Sequence, residues 1–282
     1  MTQKRIAAIH DISCVGRCSL TVALPILSAA GIETSIIPTA VLSTHTGGFS
    51  GYTYLDLTDE IVPVKRHWKS LGLKFDAIYT GFLGSFEQLN IVSDLFDDFS
   101  SPDNTIIVDP VMGDAGRLYD VFDSSFAQGM KKLCKKADLI LPNMTEACFL
   151  TGIEYKDGPY DVSYVEKIIN ELTVVTDANI VLTGAHFDEE NLGAAVLDRK
   201  TGKIEYAMNK KIDGFFHGTG DVFASGLIGA YLNGFKLLDA TKIAEEFTVS
   251  GIEITKKAQT DVRYGVAFEK CIPGYIKNLN LY

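Results

Sequence analysis

The feature that most constrains this chain is a repeated alternation of two patterns. Short, continuous apolar runs, each closed by small or polar residues, are followed by longer segments of helical periodicity. The runs are Arg5–His10, Ile32–Ile37, Phe75–Thr80, Asn104–Val108, Ala137–Leu141 and Asn179–Thr183. Runs this short and this apolar read as buried strands, and strands alternating with helices build parallel βαβ units. Gly193–Asp198 and Lys203–Met208, separated by Arg199-Lys200-Thr201-Gly202, read as an antiparallel hairpin at a sheet edge. Helices are expected from Gly16 to Ala30, stopped by Gly31 and bent at Pro25, then at Leu57–Leu71, Phe86–Phe99, Leu118–Lys136 and Ala147–Leu150. Asp161–Leu172 and Leu238–Ala258 follow, and Val266–Leu279 reads as a last helix interrupted at Pro273-Gly274. No low-complexity linker, charge block or internal repeat divides the sequence. The chain is expected to form one domain over residues 1–282, an α/β doubly wound sheet with an edge β-hairpin.

At 282 residues, 46% hydrophobic and 22% charged, the chain can bury a sizeable core. Its net charge of −10 argues against a nucleic-acid or membrane-surface role, because both favour basic patches. Met1-Thr2-Gln3-Lys4-Arg5 leads straight into a strand, and no signal-peptide core or apolar span of ~20 residues follows. A soluble cytoplasmic protein is expected. Cys14, Cys18, Cys134, Cys148 and Cys271 are odd in number and scattered, the pattern of free thiols. Cys14 and Cys18 are four apart, but no second pair follows at zinc-site spacing.

The chemistry is densest at Phe216-His217-Gly218-Thr219-Gly220-Asp221, which runs directly into the apolar, small-residue stretch Val222–Gly234. This reads as a tight loop opening into a buried helix. Glycines let backbone N–H groups converge, and the unpaired N–H groups of a helix start point the same way, which makes an anion site. Asp221 in the first turn sets a base beside that anion, an arrangement suited to phosphoryl transfer to a hydroxyl. Alone, Gly-Thr-Gly-Asp would equally serve as a capping turn.

Other candidates sit after the strands, where βαβ loops meet ligands. Asp11 and Ser13 follow the first strand and either meet a substrate or cap the next helix. Val41–Gly51 is Gly-rich and polar and carries His45 and Thr46. Asp109 and Asp114 follow a fully apolar strand, a costly place for carboxylates without a cation or a charged partner. Asn143 and Glu146 have the spacing of a capping box, yet Glu146 follows the same kind of strand end, so it could join Asp109 and Asp114 on one cation. Mg²⁺ needs only one or two carboxylates when phosphate oxygens complete its shell.

Taken in order, the Asp11–Gly16 loop, Ser43-Thr44-His45-Thr46, Thr80-Gly81-Phe82-Leu83-Gly84-Ser85, Asp109–Asp114, Asn143–Glu146 and Gly218–Asp221 resemble the ribokinase-like superfamily, and within it the pyridoxal (vitamin B6) kinases. The resemblance covers essentially the whole chain. It implies a central, mostly parallel sheet flanked by helices on both faces, in a homodimer, and ATP-dependent phosphorylation of the 5′-hydroxymethyl group of pyridoxal, pyridoxine or pyridoxamine. By resemblance Asp221 matches the catalytic base, and Gly218, Thr219 and Gly220 the anion hole. Asp109 and Glu146 match the Mg²⁺ region, where a monovalent cation such as K⁺ is also found. Asp114, Asn143, Glu146, Thr183, Gly184 and Thr219 match ATP contacts, and Asp11, Ser13, His45, Thr46 and Phe82 match the pyridine site. No Walker lysine motif is present, and the family needs none. The related hydroxymethylpyrimidine kinases of thiamine synthesis share the Asp-x-Ser pattern and a residue like His217, but their motif commonly ends Gly-Thr-Gly-Cys. Asp221 favours the B6 kinases, and it argues against a non-catalytic B6-vitamer binder, which gains nothing from a base beside an anion hole.

Overall fold

The computed structural model describes residues 3–281. Its elements begin with β1 (Arg5–Ser13), α1 (Leu20–Ala29), β2 (Glu33–Leu42), β3 (Tyr54–Asp56), α2 (Thr58–Ser70), β4 (Ala77–Thr80) and α3 (Phe86–Phe99). They continue with β5 (Thr105–Val108), β6 (Gly113–Asp114), β7 (Arg117–Leu118), α4 (Ser124–Cys134), β8 (Leu139–Ile140), α5 (Met144–Thr151) and α6 (Val162–Val175). The last are β9 (Asn179–Ala185), β10 (Asn191–Asp198), β11 (Lys203–Lys210), α7 (Thr219–Leu232), α8 (Leu237–Ala258) and α9 (Ile272–Asn278).

The chain groups into two compact units. One holds the described residues up to Val64 and those from Ile212 onward, and the other is Lys65–Lys211. In the first unit β1 and β2 pair in parallel from Arg5 opposite Glu33 to Ser13 opposite Leu42, and β3 pairs antiparallel with β2. The core of β1, Ile6 to Ile9, is fully buried. α7 is buried on every side from Val222 to Ala230, which is why the sequence shows no amphipathic stripe there. Its small residues are packing positions. Gly226 faces Phe247 and Ala244 of α8, and a side chain at Gly229 would strike the Tyr275 hydroxyl, which itself donates to the Gly226 carbonyl (2.8 Å).

In the second unit the strand order is β11-β10-β9-β8-β5-β4, with β4, β5, β8 and β9 parallel and β9, β10 and β11 antiparallel. The edge hairpin stands where the sequence put it. Among the described residues no helix is long and apolar enough to cross a membrane.

Several boundaries differ from expectation. β1 does not stop at His10. An irregularity between His10 and Ile12 lets it run on to Ser13, so Asp11 and Ser13 lie on a strand end rather than in a loop. Neither caps α1, whose N-cap is Ser19. The helix expected from Leu118 starts only at Ser124, because Asp123 caps it by accepting the Ser125 and Phe126 N–H groups. Leu118 belongs instead to the β6–β7 hairpin. At the end of the chain, Pro273 opens α9 rather than interrupting it, since a first-turn N–H needs no partner.

Candidate active site

In the first unit the turn before α7 is built on Gly218. This residue is the N-cap at φ 73°, and a Cβ there would collide with the Arg17 carbonyl oxygen, so glycine is required on both counts. The Thr219 hydroxyl closes the turn by donating to the Phe216 carbonyl (3.2 Å). Gly220 faces open space. The first-turn N–H groups of α7 have no carbonyl of their own helix to reach, and they form its positive pole. Asp221 stands in that turn, half-buried. Burial pushes its carboxyl up to about 7, the neighbouring Asp11 charge adds to the rise, and the Ser19 backbone N–H opposes it. Asp11 is also raised by burial, against the stabilising hydroxyls of Ser19 and Ser13. Ser13 donates to Asp11 Oδ2 at 3.3 Å.

Asp11, Ser13 and Gly218–Asp221 thus come together as one group. Two further members escape sequence reasoning. Cys18 is buried beside both carboxylates, which with burial push its thiol up. Ser19 acts on both acids, its hydroxyl holding the Asp11 carboxyl down and its backbone N–H the Asp221 carboxyl. The only sequence signal for Ser19 was a cap-type residue just ahead of an apolar helix.

His45 is buried, and its ring nitrogens are taken up by main chain. Nδ1 accepts the Gly47 N–H (3.1 Å), leaving Nε2 to donate to the Arg263 carbonyl (2.5 Å). Its ring lies 5.1 Å from those of Phe49 and His217. His45 therefore orders the loop after β2, while Thr46 beside it is exposed.

In the second unit the capping box at α5 is real. Asn143 Oδ1 accepts the Glu146 N–H (2.9 Å) and Glu146 Oε2 accepts the Asn143 N–H (2.8 Å). Glu146 Oε1 also accepts from Met112 (3.2 Å), and Asn143 Nδ2 donates to the Gly113 carbonyl (2.9 Å). Burial pushes the Glu146 carboxyl up to about 8, with Asp114 adding and the backbone N–H groups opposing. Asp109 is buried at the end of β5, and its charge and that of Glu146 help burial push up the Cys134 thiol.

A three-carboxylate cage on one cation is not formed: among the described residues no group of three or more His, Cys, Asp or Glu is placed to hold a metal. Asp114 is exposed and turns Oδ1 onto the Ala115 N–H (2.7 Å), while Glu146 commits both oxygens to backbone. Asp109 and Glu146 remain suited to a cation that phosphate oxygens complete, since the charges acting on Glu146 are negative and no ion pair to it is formed among the described residues. Thr183 and Gly184 adjoin this group, because the Thr183 N–H donates to the Pro142 carbonyl (2.9 Å) and Thr183 bridges Asn143. Phe82, half-buried after β4, packs on Phe122 at 5.6 Å.

A family model described as phosphomethylpyrimidine kinase matches residues 24–266. Among solved structures, a candidate phosphomethylpyrimidine kinase of Bacteroides thetaiotaomicron, crystallised with pyridoxal, is 38% identical with a TM-score of 0.92, over 97% of this chain and 96% of that one. The pyridoxal kinase of Lactobacillus plantarum is 31% identical with a TM-score of 0.90, over 97% of each chain. The curated pyridoxal kinase of Dictyostelium discoideum is 28% identical over 163 residues, which are 54% of this chain and 52% of that protein; the match spans about half that relative's length.

Proposed function

Because the chain belongs to the phosphomethylpyrimidine kinase family, we propose that it transfers the γ-phosphoryl group of ATP to the 5′-hydroxymethyl group of pyridoxal, pyridoxine or pyridoxamine. The observation that carries this reading is Asp221, a carboxyl pushed up to about 7 in the first turn of α7, directly after the Gly218-Thr219-Gly220 backbone. A base of that affinity suits proton transfer near neutral pH. Asp221 takes the proton from the substrate hydroxyl as its oxygen attacks phosphorus, and the leaving oxygen departs with ADP. The N–H groups at 218–220 stabilise charge spreading over the transferring group, where positioning and electrostatics supply most of the catalysis.

Asp109 and Glu146 would hold Mg²⁺, which when bound neutralises phosphate charge. Asp114, Asn143, Thr183, Gly184 and Thr219 serve the nucleotide. Asp11, Ser13, Thr46 and Phe82 serve the pyridine ring, with His45 ordering the loop that carries Thr46. K⁺ is assigned as a second cation. The whole chain acts as a single kinase domain, in a cytoplasmic homodimer.

The Bacteroides relative with pyridoxal supports the B6 substrate, and the name of the family supports a second reading, hydroxymethylpyrimidine as acceptor. The two are separated by ATP turnover with Mg²⁺ on pyridoxal, pyridoxine, pyridoxamine and hydroxymethylpyrimidine side by side. A higher kcat/KM on the pyridines is expected. Preference for the pyrimidine would move the chain to thiamine synthesis, and turnover of none would overturn the kinase assignment.

A further inference from the structure

Near the end of the chain, in the first unit, Arg263 sits in the short 3₁₀ turn Val262–Tyr264. The N-cap Asp261 accepts the Arg263 N–H (3.0 Å) and grips its guanidinium at Nε (3.0 Å) and at a terminal nitrogen (2.6 Å). An exposed pair of this kind adds little to stability, so its consequence is where it places the side chain. Held in that fork, Arg263 lies along the tip of the loop after β2. Its guanidinium carbon is 5.3 Å from the centre of the Phe49 ring, in cation–π range. A Cβ on Gly48 would come within 3.1 Å of Arg263 Cγ and 3.2 Å of Cδ, so the loop backbone rests on the aliphatic stem. The Arg263 carbonyl accepts from His45 Nε2 (2.5 Å), and the Tyr264 ring packs on Phe49 at 5.4 Å.

The same turn reaches the anion cradle from another side. The Tyr264 carbonyl accepts the Arg17 N–H (3.0 Å), Arg17 Nε pairs with Glu269 (2.6 Å), and the Arg17 carbonyl is the group against which Gly218 stands. Loop and cradle also meet directly. A Cβ on Gly47 would fall 2.7 Å from the ring of His217, the residue just before Gly218. One turn therefore seats both the loop after β2 and the start of α7.

We propose that Arg263 is a positioning residue for the phosphoryl acceptor: forked on Asp261 and laid on Phe49, it latches the His45–Phe49 loop against the cradle, so that a ring held by the loop presents its hydroxyl to the transferring phosphate. The proposal rests on the assignment of this loop, with Thr46, to the pyridine site. Without the guanidinium and its stem the loop tip keeps its contacts with His217 and Tyr264 alone, and it opens more often. An acceptor that needs the closed loop then binds more weakly in proportion to the closed fraction, while the saturated enzyme turns over as before. ATP, which is assigned no contact on this loop, keeps its KM.

Arg263→Ala, Arg263→Lys and Phe49→Leu test the latch with two readouts. Hydrogen exchange over residues 44–50, with the Gly47 amide on His45 Nδ1 as its marker, reads loop opening without turnover. Steady-state kinetics with Mg²⁺, varying pyridoxal and ATP in turn, read the acceptor. Arg263→Ala is expected to speed loop exchange and raise the KM for pyridoxal about threefold or more each, with kcat and the KM for ATP within about twofold of wild type. Lysine keeps a cation and a stem but loses the fork, so Arg263→Lys falls between. In a Phe49→Leu background the effect of Arg263→Ala on exchange shrinks, because the two side chains act as a pair. Loop exchange within about 1.5-fold of wild type, or KM values for pyridoxal and ATP that rise together, overturns the proposal and leaves Arg263 as a surface ion pair. Should wild type turn over no vitamer, the kinase reading fails alone, and loop exchange in the same variants still decides whether Arg263 is the latch.

Discussion

Gly218 and Gly220 flank the same threonine, yet the structure assigns them opposite responses to alanine. At Gly218 the added Cβ meets the Arg17 carbonyl oxygen, and the backbone is at φ 73°. Left-handed backbone costs an L-residue roughly 1–2 kcal/mol. Relieving the overlap means moving the turn before α1 or the start of α7, an overpacking cost of about 1–3 kcal/mol. The stiffer unfolded chain returns about 0.4–1 kcal/mol. The net loss is about 2–4 kcal/mol, which for a chain this size lowers Tm by roughly 5–12 °C. Gly220 is exposed, and nothing lies within 4 Å of its would-be Cβ. There alanine is the better helix former, so Tm should hold or rise by about 2 °C. The new methyl nonetheless enters the space before the anion cradle, and kcat/KM for pyridoxal should fall at least about tenfold. Near-UV circular dichroism melts beside steady-state turnover read both effects. A Gly218→Ala protein melting within about 2 °C of wild type would refute the packing argument, as would a Gly220→Ala protein that melts as low.

Other outcomes follow from the Asp221 and Glu146 carboxyls. With Asp221 near 7, kcat/KM should fall as pH drops through about 7, and an acid limb near the ordinary carboxylate range would remove Asp221 as the base. The same shift sets a stability trend. The folded chain keeps on Asp221 a proton that the unfolded chain loses near 3.8, so this group's contribution declines as pH rises from about 4 to about 7 and then levels. Asp221→Asn should therefore gain more Tm over wild type at pH 8 than at pH 5; an equal gain at both would contradict the burial. Glu146→Ala strips acceptors from the Asn143 and Met112 N–H groups, costing about 2–4 kcal/mol by chemical denaturation. Glu146→Gln keeps an acceptor and should lose less stability, yet it should need more Mg²⁺ for half-maximal turnover. An unchanged Mg²⁺ dependence would take Glu146 out of the cation site.

What the sequence made legible followed from period and punctuation. The apolar runs located the parallel strands, the residues around Thr201-Gly202 the edge hairpin, and Asn143 with Glu146 a capping box that formed as spaced. Residues whose structure depends on distant partners were not legible. β1 overran His10 because Ile12 and Ser13 find partners on β2, and no local signal marks that register shift. The helix before Cys134 was read too long because the cap at Asp123 had to compete with periodic residues upstream. At the candidate site the chemistry-bearing types were visible, since glycines and acids stand out at strand ends. The positive φ of Ser19 was invisible, as was the commitment of both Glu146 oxygens to backbone.

The central claim is that Asp221, beside the 218–220 backbone, takes the proton from the substrate hydroxyl during phosphoryl transfer. Rapid-quench single turnover with γ-labelled ATP, Mg²⁺ and pyridoxal tests it, with wild type and Asp221→Asn compared at saturating ATP. Wild type should yield the 5′-phosphate, and the variant should be slowed by about 10²–10⁴-fold with its ATP affinity within a few-fold of wild type. A variant that transfers phosphate at near-wild-type rate would contradict the account.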